Sequence, residues 1–338
     1  MTTTNRQFRL AARPVGVPKA SDWSVVEAPV ETPGEGEFVV RVVYISLDPA
    51  MRGWMNEGKS YIAPVGLGEV MRAGAVGQVI ASRHAAFPVG AFVSGAFGVQ
   101  LFARSDGRGV ERVDPSLAPL PAQLGVLGMP GMTAYFGLLD IGRPRPGETV
   151  VVSGAAGAVG AIVGQVARIK GARAIGIAGG EAKCRYLVEE LRFDGAIDYK
   201  AQDVKAALRD LCPRGIDVYF DNVGGDILDA ALARLARHAR IVICGAISQY
   251  NNTEAVRGPA NYLSLLVNRA SMTGMVVFDY ADRYADARRD IAGWLASGQL
   301  KHREDIVRGI DEFPQALLRL FRGENLGKLV LQVADERS

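Results

Sequence analysis

The fold of this chain is decided by Val150-Val151-Val152-Ser153-Gly154-Ala155-Ala156-Gly157-Ala158-Val159-Gly160. A run of β-branched residues stops at a glycine-rich turn, and valines and isoleucines then recur at helical spacing as far as Ile169. Gly171 follows, in a position typical of the glycine that ends a helix in a left-handed conformation. The pattern therefore predicts a strand, a tight turn and a helix in immediate succession.

This order is the context in which a glycine-rich turn binds a dinucleotide. Gly157 has no Cβ to obstruct a pyrophosphate that approaches the backbone, and Gly160 lets the helix pack closely on the strand. Ala155 stands where the first glycine of the fingerprint is usual, so the motif is A-x-G-x-x-G. The first N–H groups of the helix would then face the phosphates. We therefore predict a nucleotide site here, rather than a turn that serves packing alone.

Composition argues against several classes of protein. The 338 residues exceed one typical core and predict two domains. A net charge of +3, with arginines spread along the chain, argues against a nucleic-acid or membrane partner. The first residues lack the apolar core of a secretion signal, and no segment approaches the length of a membrane span. We expect a cytoplasmic enzyme.

The cysteines and histidines indicate neither a disulfide framework nor a metal site. The three cysteines lie far apart, their number is odd, and none belongs to a C-x-x-C pair: Cys184, Cys212 and Cys244. The three histidines are equally isolated: His84, His238 and His302. Because a structural zinc site usually needs four closely grouped ligands, we predict that the protein uses no metal.

The strand patterns divide the chain into regions of different character. Residues 1–125 are β-rich, with short strands predicted at 38–45, 75–80 and 91–93, as in a small barrel or sandwich. Residues 126–300 alternate strand and helix, with strands predicted at 149–153, 173–178, 216–221, 240–245 and 272–278. That alternation predicts an α/β fold with a doubly wound parallel sheet. Residues 301–338 contain a helix pattern near 311–323 and a strand pattern at 328–333, which could complete either domain.

The end of the second predicted strand of this sheet bears on the choice of cofactor. An enzyme that binds NAD usually places Asp or Glu there, to accept a hydrogen bond from the ribose 2′-hydroxyl. Here the strand ends at Gly179-Gly180 and Lys183 follows, an arrangement that would attract a 2′-phosphate. Glu181 opposes this interpretation slightly, and Lys183 could instead be a solvated helix residue. We predict NADP(H), with the hydroxyl of Tyr199 as a second candidate for the same phosphate.

Two later strand ends supply further candidates, because ligands bind beyond the carboxyl ends of such strands. Asn222 lies in the segment Asp-Asn-Val-Gly-Gly at 221–225, where its amide could donate to the ribose or the pyrophosphate. The alternative is a simple turn. The segment 244–251 ends the following strand, and its backbone groups would line the nicotinamide.

These motifs resemble those of one family over nearly the whole chain. It is the alkenal/one double-bond reductase group of the zinc-independent medium-chain dehydrogenases/reductases, which includes prostaglandin reductases and bacterial curcumin reductases. The segments with this resemblance are Ser46-Leu47-Asp48-Pro49-Ala50-Met51-Arg52-Gly53, Gly128-Met129-Pro130-Gly131-Met132-Thr133-Ala134-Tyr135, Ala155-Ala156-Gly157-Ala158-Val159-Gly160, Asn222-Val223-Gly224-Gly225, Cys244-Gly245-Ala246-Ile247-Ser248-Gln249-Tyr250-Asn251 and Asn325-Leu326-Gly327-Lys328. Ala50 departs from the family, which often has tyrosine there, and this affects the expected substrate pocket. Asp48-Pro49 also fits the N-cap and first residue of a short helix.

The resemblance implies a Rossmann domain, a GroES-like β-rich barrel domain to which the segment 301–338 returns, and a homodimer. It also implies which residues bind the cofactor. They are Gly157, Ala158, Val159, Gly160, Lys183, Tyr199, Asn222, Cys244, Gly245, Ala246, Ile247, Ser248, Gln249, Tyr250, Met275, Val276, Val277 and Asn325. Asn325 enters only through the resemblance, since no pattern in the tail indicates a cofactor.

The implied activity is NADPH-dependent reduction of the carbon–carbon double bond of a small enal or enone. Hydride transfer to the β-carbon would leave negative charge on the carbonyl oxygen, which hydrogen-bond donors must stabilise if no metal does. Tyr250 is the candidate donor, and it is expected to line the substrate pocket with Ala50. The alternatives are a quinone reductase or a secondary-alcohol dehydrogenase on the same scaffold, or an NADPH-binding protein with a structural or regulatory role.

Overall fold

Residues 4–336 are described by the computed structural model, in which the chain divides into two units. The first unit combines the chain up to Leu124 with the segment from Glu304 onward. The second unit spans Gly125–Arg303.

The strands, in chain order, are β1 (Thr4–Leu10), β2 (Trp23–Pro29), β3 (Phe38–Ser46), β4 (Ala75–Ser82), β5 (Phe92–Gly95), β6 (Phe102–Ser105), β7 (Glu111–Val113), β8 (Thr149–Ser153), β9 (Arg173–Ala178), β10 (Gly195–Asp198), β11 (Ile216–Asp221), β12 (Leu235–Ile243), β13 (Ser271–Gly274), β14 (Glu304–Arg308) and β15 (Lys328–Gln332). The helices are α1 (Ala50–Trp54), α2 (Met129–Phe136), α3 (Gly160–Ile169), α4 (Glu181–Arg185), α5 (Val204–Leu211), α6 (Gly225–Leu232), α7 (Ser264–Asn268), α8 (Tyr284–Ala296) and α9 (Phe313–Arg322).

The first unit is built on a mostly antiparallel sheet in the order β14-β15-β3-β4-β5-β7, with β6 also paired to β3. β1 and β2 form a separate antiparallel pair. The core gathers apolar side chains from the strands and from α9, among them Phe38, Ile45 and Phe313. The β-rich start of the chain is thus completed by two strands and a helix from its end.

The second unit is a six-stranded parallel sheet in the order β10-β9-β8-β11-β12-β13. The strand order reverses between β8 and β11, the point at which open sheets of this kind bind ligands. Buried Ile175, Tyr219 and Ile241 contribute to a core beneath the sheet's helices. The predicted fold class, a doubly wound Rossmann sheet with a separate β-rich domain, is confirmed.

Two strands of this sheet differ from the predicted bounds. β12 begins at Leu235 because the chain passes through a bulge: its pairing with β11 shifts register, and His238 adopts a φ of +65°. The pattern does not show this start because Arg237 and His238 interrupt the apolar alternation. β13 ends at Gly274, and the rest of the predicted stretch enters a short 3₁₀ segment at Val277. β10 has four residues and lies outside the predicted strand ranges, although a short apolar run before Tyr199 indicates a strand end there.

The helix after the glycine-rich turn has the predicted form. α3 begins at Gly160 and ends at Ile169, and Gly171 adopts the left-handed conformation with a φ of +81°. Within residues 4–336, no helix is both long enough and apolar enough to cross a bilayer.

Candidate functional site

The candidate residues of the second unit gather along one edge of its sheet. Because the six strands are parallel, all of them end at this edge, with last residues Ser153, Ala178, Asp198, Asp221, Ile243 and Gly274. The predicted cofactor residues of this unit follow these strand ends within a few residues. Among them, Lys183 lies on a short helix, α4.

The turn between β8 and α3 depends on glycine for two different reasons. A Cβ on Gly160 would lie 2.4 Å from the carbonyl oxygen of Gly154, so only glycine lets α3 begin this close to the strand. A Cβ on Gly157 would lie 3.2 Å from the same oxygen, a contact that a small shift could relieve. Packing alone therefore requires glycine at 160 more strictly than at 157. Gly157 is half-buried and has no Cβ to obstruct a pyrophosphate that approaches its backbone.

Asp221 organises the turn after β11, and sequence reasoning missed its part. Its carboxylate is buried and accepts hydrogen bonds from Ser153 Oγ at 2.8 Å, from Tyr219 Oη at 3.0 Å and from the backbone N–H groups of Val223 and Gly224 at 3.1 Å. Burial raises the pKa of Asp221, and these hydrogen bonds oppose the rise. The available signal was an acidic residue at the end of a fully apolar strand, directly before the glycine-bearing turn.

Asn222 forms two hydrogen bonds within the second unit, both to Ser153. Its backbone N–H donates to Ser153 Oγ at 2.8 Å, and Nδ2 donates to the carbonyl oxygen of Ser153 at 2.7 Å. This ties the end of β11 to the end of β8. One amide hydrogen is therefore committed to the scaffold, and a cofactor contact by Asn222 rests on the other hydrogen or on Oδ1.

The segment after β12 is joined to the turn after β11 by a ladder of backbone bonds. The carbonyl oxygen of Asp221 accepts from the N–H groups of Cys244 at 2.9 Å and Gly245 at 3.1 Å. Ser248 donates through Oγ to the carbonyl oxygen of Val223 at 2.6 Å. Burial, with a smaller effect from the charge of Asp221, raises the pKa of the Cys244 thiol to about 12. Cys244 is therefore a protonated thiol at neutral pH and no nucleophile.

Tyr250 folds back over the carboxyl end of β12. Its hydroxyl oxygen accepts a hydrogen bond from the N–H of Ala246 at 3.1 Å, and a Cβ on Gly245 would lie 3.0 Å from that oxygen. The bond from Ala246 uses a lone pair of the phenolic oxygen and leaves the O–H hydrogen to other contacts. Gly245 therefore makes room for a half-buried hydroxyl at the sheet edge.

The ends of β9 and β10 bring Tyr199 beside the glycine pair. The Tyr199 hydroxyl lies 2.8 Å from the position of a Cβ built on Gly179. The N–H of Gly180 donates to Asp198 Oδ1 at 2.8 Å, which joins the turns after the two strands. Lys183 follows on α4, where its N–H donates to the carbonyl oxygen of Gly180 at 3.1 Å. The predicted phosphate candidates therefore come from adjacent turns.

Met275, Val276 and Val277 follow β13 at the same edge. The N–H of Met275 donates to the carbonyl oxygen of Ile243 at 3.0 Å, which extends the β12–β13 pairing by one bond. Met275 and Val277 are buried and Val276 is half-buried. Of the three side chains, only that of Val276 keeps substantial exposure.

Asn325 and Ala50 belong to the first unit. Asn325 Nδ2 donates to the carbonyl oxygen of Gly327 at 2.9 Å, and Ala50 is half-buried against the apolar core. Their contacts with cofactor and substrate stay predictions. The interpretation of Asp48-Pro49 as N-cap and first helical residue is wrong: α1 begins at Ala50, and no side-chain bond caps it. The Asp48 carboxylate instead contacts Ser46 and Lys328.

Within residues 4–336, no group of three or more histidine, cysteine, aspartate or glutamate side chains is placed to hold a metal ion.

Comparison with known proteins gives two family models and close relatives. Residues 6–113 match the model "N-terminal domain of oxidoreductase", and residues 158–292 match "Zinc-binding dehydrogenase". The chain is 47% identical to the putative NADP-dependent oxidoreductase YfmJ of Bacillus subtilis, over 99% of both chains. It is 42% identical to the NADPH-dependent curcumin reductase of Escherichia coli, over 98% of both. The crystal structure of CurA from Vibrio vulnificus in complex with NADPH is 47% identical and superposes with a TM-score of 0.93, over 98% of this chain and 99% of that one.

Proposed function

The chain belongs to the zinc-independent medium-chain dehydrogenase/reductase family, in the group of the curcumin and alkenal reductases, and from this premise we propose its reaction. It is an NADP-dependent oxidoreductase. We propose that it reduces the carbon–carbon double bond of α,β-unsaturated aldehydes and ketones, without a metal. The observation that supports this most directly is the Tyr250 hydroxyl at the carboxyl end of β12.

When bound, NADPH would provide the hydride that such a substrate accepts at its β-carbon. Negative charge would then develop on the carbonyl oxygen, and a donor aimed at that oxygen would lower the barrier. A proton from Tyr250 or from water, delivered to the α-carbon, would complete the reduction. The Tyr250 hydroxyl is a candidate donor, because it lies over Gly245 at the carboxyl end of β12, the end of the sheet at which the nicotinamide is expected. The bond from Ala246 N–H holds the phenolic oxygen in position before substrate arrives.

The other proposed roles follow the edge of the sheet. The turn from Gly157 to Gly160 would bind the pyrophosphate through its backbone, Asn222 the ribose, and the segments 244–250 and 275–277 the nicotinamide half. Lys183 and Tyr199 would bind the 2′-phosphate. Asn325, which only the family resemblance indicates, is the remaining proposed cofactor residue.

One assay separates this function from its alternatives. NADPH oxidation is followed with an aryl enone, with a benzoquinone and with no acceptor, and NADP⁺ reduction with a secondary alcohol. We expect turnover with the enone and a product two hydrogens heavier that retains its carbonyl group. Activity confined to the quinone would favour a quinone reductase, and activity confined to the alcohol a secondary-alcohol dehydrogenase. Binding without turnover would favour a structural or regulatory protein.

Dialysis of the protein against a strong chelator before the assay should not change the rate of enone reduction. A chelator-sensitive rate would contradict a metal-free mechanism.

We also propose a homodimer formed through the second unit. β13 is the last strand of the sheet, and the adjacent α7 exposes Leu266 and Val267, at 76% and 66% of their surface. Leu263, just before α7, is 57% exposed. A two-fold axis beside β13 would pair it antiparallel with its copy and cover these side chains. Such a pairing would also provide hydrogen-bond partners for the backbone N–H and C=O groups on the outer side of β13.

A cytoplasmic location is part of the proposal. The three cysteines are free thiols, as expected in a reducing compartment.

A further inference from the structure

Besides Lys183, a second lysine lies beside the end of β9. It is Lys200, which in the chain follows the neighbouring strand β10. The position of a Cβ built on Gly179 lies 2.9 Å from Cε of Lys200 and 2.8 Å from Oη of Tyr199. Lys200 belongs to the turn after β10, so its side chain reaches across to the neighbouring strand end. The carbon that bears its ammonium group and the Tyr199 hydroxyl therefore flank the same point on Gly179.

The backbone holds Lys200 in this place through Asp198. One carboxylate oxygen, Asp198 Oδ1, accepts from the N–H of Gly180 at 2.8 Å and from the N–H of Lys200 at 3.0 Å. These two hydrogen bonds lower the pKa of Asp198, and the bond from Gly180 has the larger effect. Asp198 is therefore ionised at neutral pH. The turns after β9 and β10 are thereby fastened to each other, and Lys200 starts its side chain beside the glycine pair.

In this fold the ribose 2′ position of a dinucleotide lies at the end of the second strand, here β9. We propose that Lys200 binds the 2′-phosphate of NADP(H) together with Tyr199 and helps to set the preference over NAD(H). This assigns to Lys200 a phosphate contact beyond the one predicted for Lys183. The inference rests on the NADP dependence of the family and not on the proposed enone substrate.

The same arrangement affects which side chains position 179 can hold. Any side chain there would bring its Cβ within 3 Å of both Lys200 Cε and the Tyr199 hydroxyl. The carboxylate that an NAD enzyme uses at this strand end would therefore need both side chains to move. Lys200 and Tyr199 would attract a phosphate, and an acidic residue at position 179 could be placed only after the ends of both side chains had shifted.

Binding measurements on the full-length protein without substrate test the proposal. Dissociation constants for NADPH and NADH are measured by the fluorescence of the reduced nicotinamide, and that for 2′,5′-ADP by calorimetry. Lys200→Ala should weaken NADPH and 2′,5′-ADP about tenfold or more and change NADH less than about twofold, since a charged contact is lost. Lys200→Arg should retain most of the affinity. Thermal midpoints should match, because Lys200 is exposed.

Lys205→Ala is the matched control, since Lys205 is an exposed lysine on α5. It should leave all three constants unchanged. An equal loss for NADPH and NADH in Lys200→Ala would overturn the proposal, as would an NADPH constant within about twofold of that of the unmodified protein. An equal loss of NADPH affinity in Lys205→Ala would overturn it too, because the positive charge of the surface in general would then account for the binding. None of these outcomes depends on whether the enzyme turns over an enone.

Discussion

Lys328 Nζ lies 2.6 Å from Oδ1 of Asp48 inside the first unit, and it also donates to the carbonyl oxygen of Leu47 at 2.9 Å. The ion pair joins two segments 280 residues apart in sequence. Both belong to motifs of the family resemblance, D-P-x-M-R-G and N-x-G-K. Their charged residues therefore stabilise the first unit, and Arg52 in the same segment is likewise buried, donating to the carbonyl oxygens of Pro14 and Gly16.

Lys328→Met should destabilise the protein by about 3–5 kcal/mol, because it leaves the Asp48 carboxylate without its buried partner. Urea unfolding of the two proteins, monitored by circular dichroism, measures the difference. Asp48→Asn in addition should restore part of the loss, and the exposed Lys205→Met should change little. A loss below about 1 kcal/mol would show that the pair contributes little, as surface pairs do.

Asp221→Asn should cost about 1–3 kcal/mol of stability and weaken NADPH and NADH alike. The amide replaces an acceptor oxygen by a donor, which faces backbone N–H groups at Val223 and Gly224 that need acceptors. Fluorescence titration with each cofactor and urea unfolding provide the two readouts. A loss confined to NADPH would contradict a role in shaping the turns that both cofactors share.

Lys183→Ala should raise the Michaelis constant for NADPH about tenfold or more and spare NADH, because a charge-assisted contact to the 2′-phosphate is lost. Steady-state kinetics with each cofactor at saturating enone measure this, with Lys205→Ala as the matched variant. Equal effects on the two cofactors would remove Lys183 from phosphate recognition.

Tyr250→Phe should lower kcat by about 10²–10³, the usual cost of losing one donor to a developing oxyanion. NADPH affinity should stay nearly intact, since the phenyl ring keeps its packing. Stopped-flow traces of NADPH oxidation separate the two effects, and Tyr262→Phe, a change at an exposed tyrosine, is the control. Turnover within a factor of about two would place the donor elsewhere.

Leu266→Glu should convert the proposed homodimer into a monomer, because it introduces charge into the exposed apolar surface of α7 beside β13. Sedimentation velocity at several concentrations measures the change. Val188→Glu, at an exposed apolar residue after α4, should leave the dimer intact. A monomeric parent protein, or a dimer unaffected by Leu266→Glu, would rule out this interface.

The site was only partly predictable from the chain. The patterns locate the strand ends that bear Tyr199, Asn222 and Tyr250, because each follows an apolar run. They do not show that Asn222 spends an amide hydrogen on Ser153, or that Asp221 ties two turns together. Such bonds join residues about 70 positions apart or cross between turns, and no local period records them.

What the sequence by itself determined is the class of fold and the kind of cofactor. The alternation of strand and helix periods predicts parallel crossovers. A helix that starts at Gly160 needs glycine at that position, because a Cβ would meet Gly154. Both constraints act between residues that are close in sequence, so the sequence pattern records them. Only the tertiary structure decided which distant residues meet: Lys328 with Asp48, and Lys200 over Gly179. The physical reason is that side-chain partners are chosen by the packing of whole strands and turns, and this arises only once the sheet order exists.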